Sequence, residues 1–386
     1  MVVLPLEGLR VLDFSRLLPG PYATWILHSF GAEIIRIEPI EGGDWLRDVA
    51  KLDESMGWLF QSLNSGKKSV SLDLKSPAGK QIMLSLIKTA DVLFETFRPG
   101  VMDRLELGYQ QCSKIHPSLV YCSLTGYGTQ GPYRDRVGHD LNYIGLTGLL
   151  DLNGLGEGPP VIPATQVADI MAGLWAVIGI LTALNGRSVS GKGVHVKGSF
   201  LGSTLASLVV AISRIKGGKT MGRREGELFG GLVCYNVYET SDNRYMTLAA
   251  LEPKFWSNFC RLVGKEHLIG EQFAPAKPAE PTYDEVCELF RSKTLQEWTS
   301  LLGDAEVCCE PVLSLAEGLS QVPVQNLGML DEEGLLTPIT FPSPYPRSRE
   351  SVPELGQHTK EVLVELGYTT EEVERFKAKG VVPIYS

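Results

Sequence analysis

The sequence predicts an α/β fold in which a Rossmann-like, mostly parallel sheet forms a large domain and a smaller α+β domain accompanies it. The first observation is that strand-like and helix-like runs alternate through the first half of the chain, which is typical of a parallel sheet covered by helices. The second is a composition of 44% hydrophobic and 21% charged residues, ordinary for a globular protein. The third is the length of 386 residues, enough for one large domain or two ordinary ones.

The first half provides the strands and helices of the predicted large domain. A helix over residues 21–30 opens after Pro19-Gly20 and closes near Gly31, and a second over 77–87 opens at Ser76-Pro77, where proline is tolerated. A short helix follows near 101–105. The predicted strands cover residues 9–14, 33–38, 69–74, 91–95 and 119–124, with a further strand-like run at 193–200.

The middle and the end of the chain change character. Two long apolar helices are predicted over 169–184 and 201–215, and their length suggests a bundle or a subunit contact. A hairpin follows, with strands at 234–238 and 245–250. The C-terminal part contains a Pro-rich piece at 338–346 and a pair of helices over 358–366 and 370–379. We therefore divide the chain into a large domain (1–224), a small domain (225–320) and a C-terminal return to the large domain (321–386).

Charge and composition exclude several classes of partner. The net charge of −9 and the lack of a long basic tract argue against nucleic-acid binding. The start of the chain lacks a signal-peptide pattern, and the apolar run 170–184 is too short to span a bilayer, so we expect a cytoplasmic protein without a membrane partner. Seven cysteines without a Cys-x-x-Cys pair predict idle thiols in a reducing compartment and no metal site.

The most informative residues are His139, in the run Gly138-His139-Asp140, and Asp169, because each precedes a predicted helix. An imidazole and a carboxylate in one pocket can carry a proton to and from a weak carbon acid. Plainer interpretations stay open: His139 as a structural histidine, Asp140 as its orienting group or a helix cap, and Asp169 as the N-cap of a helix from Ile170. At such a helix start, backbone N–H groups could also hold an oxyanion.

Other residues indicate an anionic ligand. The first strand leads into residues 15–21, which lack both the Gly-x-G-x-x-Gly and the P-loop patterns, so a nicotinamide dehydrogenase or P-loop enzyme is disfavoured. Arg98 and Arg104 follow a strand end, where ligands of open α/β sheets collect, although solvated surface charges would look the same. The run 64–68 adds cations on a flexible backbone. Weaker candidates on loops or at a helix start are Tyr127, Gly230, Gly231 and Glu252.

Together these runs resemble the family III CoA-transferase superfamily of the CaiB/BaiF type, most closely its α-methylacyl-CoA racemase branch. The resemblance covers almost the whole chain and is carried by residues 6–14, 31–38, 97–100, 138–143, 252–255 and 356–359. It implies a large domain built from both ends of the chain and an interlocked homodimer. It also implies that acyl-CoA is the substrate, with CoA lying near Asn64, Lys67, Leu72, Phe97, Arg98 and Arg104.

The resemblance assigns roles to the catalytic candidates. Asp169 falls where the family places its key aspartate, and His139 would pair with Glu252, with Asp140, Tyr127, Gly230 and Gly231 as further active-site residues. These roles imply a racemase that inverts C2 of a 2-methylacyl-CoA through an enolate. The alternative is a CoA-transferase that uses Asp169 as an acyl carrier, and a third interpretation is a CoA-binding protein without turnover. None of these needs a metal or a covalently bound cofactor, since CoA is part of the substrate.

Overall fold

The computed structural model describes residues 4–49, 51–156, 158–331, 334–339 and 351–384. Within these residues the chain forms two compact units. The first unit takes residues from three stretches, within 1–147, 163–208 and 327–386, and the second takes them from 148–162 and 209–326. The predicted Pro-rich piece lies outside the described residues from position 340 onward.

A six-stranded sheet organises the first unit. The described strands are β1 (Arg10–Asp13), β2 (Glu33–Glu38), β3 (Lys68–Ser71), β4 (Val92–Glu95), β5 (Val120–Thr125), β6 (His195–Ser199), β7 (Tyr235–Glu239), β8 (Tyr245–Ala249), β9 (Cys309–Pro311), β10 (Leu330–Asp331) and β11 (Gly334–Leu335). Every neighbouring pair in the large sheet is parallel, in the order β3-β2-β1-β4-β5-β6, so the predicted α/β class with a parallel sheet is confirmed. Buried apolar side chains dominate β1, β2, β4 and β5, as expected for strands covered on both faces, whereas β6 at one edge is only partly buried.

The helices differ from the prediction in several places. The described α-helices are α1 (Pro19–Ser29), α2 (Trp45–Val49), α3 (Glu54–Asn64), α4 (Pro77–Ile87), α5 (Val101–Arg104), α6 (Tyr109–Ile115), α7 (Asp140–Leu146), α8 (Leu149–Leu152), α9 (Val167–Ser190), α10 (Phe200–Ser207), α11 (Val209–Lys216), α12 (Pro253–Leu262), α13 (Pro281–Arg291), α14 (Leu295–Leu302), α15 (Leu315–Leu319), α16 (Val322–Asn326), α17 (Thr359–Glu365) and α18 (Thr370–Ala378). Helices α2, α3, α6 and α8 have no predicted counterpart, and the predicted helix 201–215 is divided at Leu208 into α10 and α11.

Helix α9 is longer than the sequence indicated. It has 24 residues, so by length and composition it could cross a membrane, and the prediction that this run is too short was wrong. Its contacts within the first unit are with α1, α7, α10, β5 and β6, which makes it a packed element of the α/β layer. Within the most apolar 18-residue window of this helix, 39% is buried inside the protein.

The C-terminal segment completes the sheet at the edge formed by β3. The backbone N–H of Ser71 donates to Thr359 Oγ1 at 3.0 Å, and the N–H of Asp73 donates to the carbonyl of Val381 at 3.0 Å. These bonds occupy groups that an edge strand would otherwise present to solvent or to another chain. The described C-terminal residues therefore contact the β3 edge of the sheet, while the predicted domain bounds stay a prediction.

The second unit contains an antiparallel sheet in the order β7-β8-β9. The predicted hairpin of β7 and β8 is confirmed, with Tyr235 opposite Ala249 and Glu239 opposite Tyr245. Its core is aromatic: Trp256 and Trp298 are fully buried, and the indole N–H of each donates to a backbone carbonyl.

Candidate functional site

Asp169 is a half-buried carboxylic acid at the start of α9, where it is the third residue of the helix. The carboxylate of Asp140, the first residue of α7, lies beside it: Asp140 Oδ1 accepts the backbone N–H of Ala168 at 2.6 Å and that of Asp169 at 3.2 Å. Burial, together with the negative charge of Asp140, raises the pKa of Asp169 to about 7. A carboxyl group with this pKa can accept or donate a proton near neutrality.

This arrangement corrects two expectations. Asp169 is not the N-cap of its helix, because α9 begins at Val167 and the N-cap position belongs to Gln166. Three N–H groups of the first turn of α9 are also occupied and not available for an oxyanion: those of Ala168 and Asp169 donate to Asp140, and that of Ile170 donates to the carbonyl of Gln166. Asp140 takes this place because a carboxylate is favoured by the free donors and the positive dipole at a helix start.

His139 is exposed and occupies the N-cap position of α7, directly before Asp140. Its backbone N–H donates to Asn142 Oδ1 at 3.0 Å, which fixes the start of the helix. The Asp140 carboxylate contacts the start of α9, so His139 directly precedes a residue that binds this helix start. The catalytic pairing of His139 with Asp169 stays a prediction.

Tyr127 and Tyr143 support the turn that carries His139. The Tyr143 hydroxyl donates to the carbonyl of Gly138 at 2.8 Å, and the Tyr127 and Tyr143 rings meet edge to face with centroids 5.1 Å apart. A Cβ on Gly138 would lie 2.6 Å from the Tyr127 hydroxyl, so a larger residue there would have to displace the Tyr127 ring. Tyr127 thus contributes to the site by shaping the turn before His139.

Three predicted residues lie in the second unit. Glu252 is exposed at the start of α12, and its carbonyl accepts the first N–H groups of that helix. Gly230 has φ of +81°, and a Cβ on Gly231 would lie 2.7 Å from the backbone nitrogen of Gly226. A tight turn therefore explains why glycine stands at both positions. The active-site roles of these glycines and of Glu252 stay predictions.

Asn64, Lys67 and Leu72 are buried inside the first unit, although they were predicted to hold CoA. Lys67 Nζ donates to the carbonyl of Pro21 at 2.9 Å and to Thr24 Oγ1 at 2.8 Å, and Asn64 Oδ1 accepts from it at 3.3 Å. Burial lowers the pKa of Lys67 to about 7. The run 64–68 is therefore not the flexible cationic loop expected, because α3 extends to Asn64 and Lys67 points inward.

Phe97, Arg98 and Arg104 form the accessible part of the predicted CoA set. Arg98 and Arg104 are exposed after β4, and the Arg16 guanidinium lies over the half-buried Phe97 ring, 5.4 Å from its centroid. Beside them a polar cavity of about 190 Å³ opens at the carboxyl ends of β4 and β5, next to the first half of β6. Its lining includes Arg98 and two further cations that the sequence did not indicate, Arg134 and Lys197.

Sequence reasoning missed a polar cluster in this cavity, formed by Glu95, Ser123 and His195. Glu95 is 6% exposed, and Ser123 Oγ lies 2.9 Å from His195 Nε2. Each residue comes from a different strand, so the cluster exists only once the strand order is known. The available signal was a glutamate and a serine inside otherwise apolar strand runs.

Comparison with known proteins places the chain in a family. It matches the model of CoA-transferase family III over residues 6–359. Succinyl-CoA:glutarate CoA-transferase of Mus musculus is 30% identical over 98% of this chain and 90% of that protein, and alpha-methylacyl-CoA racemase of Homo sapiens is 30% identical over 98% and 97%. A CAIB/BAIF family protein from Brucella suis superposes with a TM-score of 0.80 at 28% identity, covering 95% of this chain and 100% of that chain. The chain therefore belongs to CoA-transferase family III, and its relatives in this enzyme family include both racemases and CoA-transferases.

Proposed function

We propose that this protein is an acyl-CoA racemase that inverts C2 of a 2-methylacyl-CoA. The observation that carries the proposal is the half-buried carboxyl of Asp169, whose pKa is about 7 and whose helix start is held by the residue next to His139. A carbon acid as weak as an acyl thioester needs a base and an acid that both work near neutral pH.

In the proposed reaction, one group removes the proton from C2 and the other returns a proton to the opposite face. The electron pair of the broken C–H bond moves to the thioester oxygen, which gives an enolate, and it returns to C2 when the new C–H bond forms. Asp169 serves one face and His139 the other, with Glu252 as the partner of the imidazole. Each group alternates between base and acid with the direction of reaction.

The same carboxyl supports a second candidate, a CoA-transferase that moves CoA between carboxylic acids. The comparison with succinyl-CoA:glutarate CoA-transferase supports it as much as the racemase, because both relatives are 30% identical to this chain. Here the Asp169 carboxylate attacks the thioester carbon and CoA leaves as the thiolate, which gives an aspartyl anhydride that carries the acyl group. The thiolate then attacks the aspartyl carbonyl and the first acid leaves, and the acceptor acid takes CoA from the aspartyl thioester by the same two steps in reverse. In this reaction His139 has no proton to carry.

Isotope exchange separates the two reactions. The protein is incubated with a 2-methylacyl-CoA in deuterated water without any carboxylic acid acceptor, and deuterium at C2 is followed by mass spectrometry. A racemase incorporates deuterium under these conditions. Transfer of CoA to an added free acid, without exchange at C2, would instead support the transferase.

Variants assign the roles of the two side chains. We expect Asp169→Asn to abolish the inversion of C2 and His139→Ala to lower its rate by roughly 100-fold or more, the usual contribution of a general base. The control is His267→Ala, an exposed histidine of the second unit, which should invert C2 at the wild-type rate. Inversion that survives His139→Ala within about threefold of wild type would contradict the racemase proposal.

We also propose that acyl-CoA binds along the first unit at Phe97, Arg98 and Arg104, and that the protein is an interlocked homodimer. The arginines support the proposed CoA site because guanidinium groups suit phosphate oxygens.

The proposed homodimer is supported by an apolar surface on α9 and α10, where Leu174, Trp175, Ile178 and Leu205 are exposed beside a groove of about 610 Å³. Such a surface is typical of a protein contact.

A further inference from the structure

Three side chains form a continuous polar chain beneath the Phe97–Arg98 segment. In the sheet, Glu95 of β4 is in register with Ser123 of β5, and His195 lies on the next strand, β6. The Ser123 hydroxyl bonds to the Glu95 carboxyl on one side and lies 2.9 Å from His195 Nε2 on the other. The chain therefore crosses three neighbouring strands, from the last residue of β4 to the first residue of β6.

The carboxyl end of this chain holds the backbone of the predicted CoA segment. Glu95 Oε2 accepts the N–H of Phe97 at 2.8 Å, which closes the turn after β4 and sets the direction in which Phe97 and Arg98 leave the sheet. The imidazole end is held by packing: the His195 ring stacks on Tyr109 with centroids 4.7 Å apart and meets Tyr121 edge to face at 5.1 Å. Both ends are thus fixed.

We propose that Glu95 is a positioning residue for CoA binding, and that the hydrogen-bond chain through Ser123 to His195 has two directions, of which only one holds the Phe97–Arg98 segment firmly. This inference rests on the proposed function, because it assumes that this segment binds CoA. It adds a residue that sets the affinity without touching the ligand.

The two directions follow from the single proton of a hydroxyl group. When Glu95 is ionised, Ser123 donates to it and accepts a proton from His195 Nε2–H, and the Phe97 N–H donates to an anion. When Glu95 is protonated, it donates to Ser123, Ser123 donates to the Nε2 lone pair, and the ring proton of His195 lies on Nδ1. Phe97 then donates to a neutral acceptor, which forms the weaker bond.

The surroundings of Glu95 bring its protonation, and with it the reversal of the hydrogen-bond chain, near neutral pH. Burial raises the pKa of Glu95 to about 7, the bonds from Ser123 and Phe97 oppose the rise, and the charge of Asp103 adds to it. Burial and the charge of Lys197 lower the pKa of His195 to about 4, so the imidazole changes tautomer rather than charge. The other charged or titratable groups facing the cavity or Glu95 are Arg98, Arg134, Tyr109, Tyr121 and Cys122.

The test measures the dissociation constant of CoA by calorimetry between pH 6 and pH 8. We expect the wild type to bind CoA about fivefold more weakly at pH 6 than at pH 8, after subtraction of the change seen in Glu95→Gln. That variant keeps an acceptor for Phe97 but does not titrate, so its residual pH dependence reports the phosphates of CoA, whose second pKa is near 6. Glu95→Ala should bind weakly at both pH values, with KM raised and kcat unchanged.

A second measurement needs no variant. Nitrogen-15 labelling of the six histidines should show the proton of His195 on Nε2 at pH 8 and on Nδ1 at pH 6. Parallel pH dependence in wild type and Glu95→Gln, or one tautomer at both pH values, would overturn the inference while leaving the proposed function intact. A wild type that does not bind CoA at any pH would overturn both.

Discussion

At the scale of single residues, the site depends on one carboxylate setting the proton affinity of another. Asp140 bonds to the N–H groups at the start of α9 and so brings a negative charge next to Asp169. Burial alone would already raise the pKa of Asp169, and the charge of Asp140 raises it further. The same contact therefore holds the backbone at the start of α9 and raises the pKa of Asp169.

We expect Asp140→Asn to lower the pKa of Asp169, because the amide keeps the hydrogen bonds but carries no charge. The measurement is the pH dependence of the deuterium exchange rate, whose transition assigned to Asp169 should move to lower pH. Asp135→Asn, which removes an exposed charge from the same loop, is the control and should leave the transition in place. An upward shift in Asp140→Asn would contradict this account.

At the scale of elements, Glu38 joins three pieces of the first unit. It ends β2 and is buried, both its oxygens bind the Arg47 guanidinium of α2 at 2.8 Å, and it accepts the hydroxyl of Ser69 from β3 at 2.6 Å. Burial alone would raise the pKa of Glu38, but the charges of Arg36 and Arg47 hold it at about 2. The ion pair is thus complete over most of the pH range.

Glu38→Gln should lower the free energy of unfolding by about 3 kcal/mol at pH 7, since it leaves a buried arginine without its partner charge. The pKa of Glu38 is lower in the folded protein than in the unfolded chain, so its stabilising effect is present above about pH 4.5 and is lost as the pH falls towards 2. Urea unfolding at pH 7 and pH 3 should therefore show a smaller difference from wild type at pH 3.

The control for this comparison is Glu361→Gln, which removes an exposed partner of Lys68. Exposed pairs contribute little, so this variant should stay within about 1 kcal/mol of wild type at both pH values. Equal losses in Glu38→Gln and Glu361→Gln would show that burial of the Glu38 pair does not stabilise the unit.

Elements were predictable where their signals were local. The apolar run of β2 and the Ser76-Pro77 start of α4 are contained in short stretches of sequence, and the Ser76 hydroxyl accepts the N–H of Gly79 as a cap should. The position of Asp169 was misjudged because its helix start is held by Asp140, a residue distant in sequence. The break at Leu208 and the burial of Lys67 likewise depend on tertiary packing that local patterns do not contain.

At the scale of the whole molecule, the proposed homodimer makes a direct prediction. Light scattering should give twice the chain mass of 42.3 kDa for the wild type. Trp175→Glu and Ile178→Glu place a charge on the exposed apolar surface of α9 and should shift the protein towards the single-chain mass.

Val364→Glu serves as the matched control, because Val364 is also an exposed apolar residue of the first unit but lies on α17. It should keep the mass of the wild type. A wild type with the mass of one chain at micromolar concentration would contradict the proposed assembly.

The bonds between β3 and the C-terminal segment have a consequence for biosynthesis. Ser71 and Thr359, which bond across this edge, are separated by 288 positions, and the whole second unit is translated between them. A ribosome therefore releases the partners of β3 only after the second unit has emerged. Until then β3 is an unpaired edge of the nascent sheet, to which a chaperone that recognises extended backbone would bind.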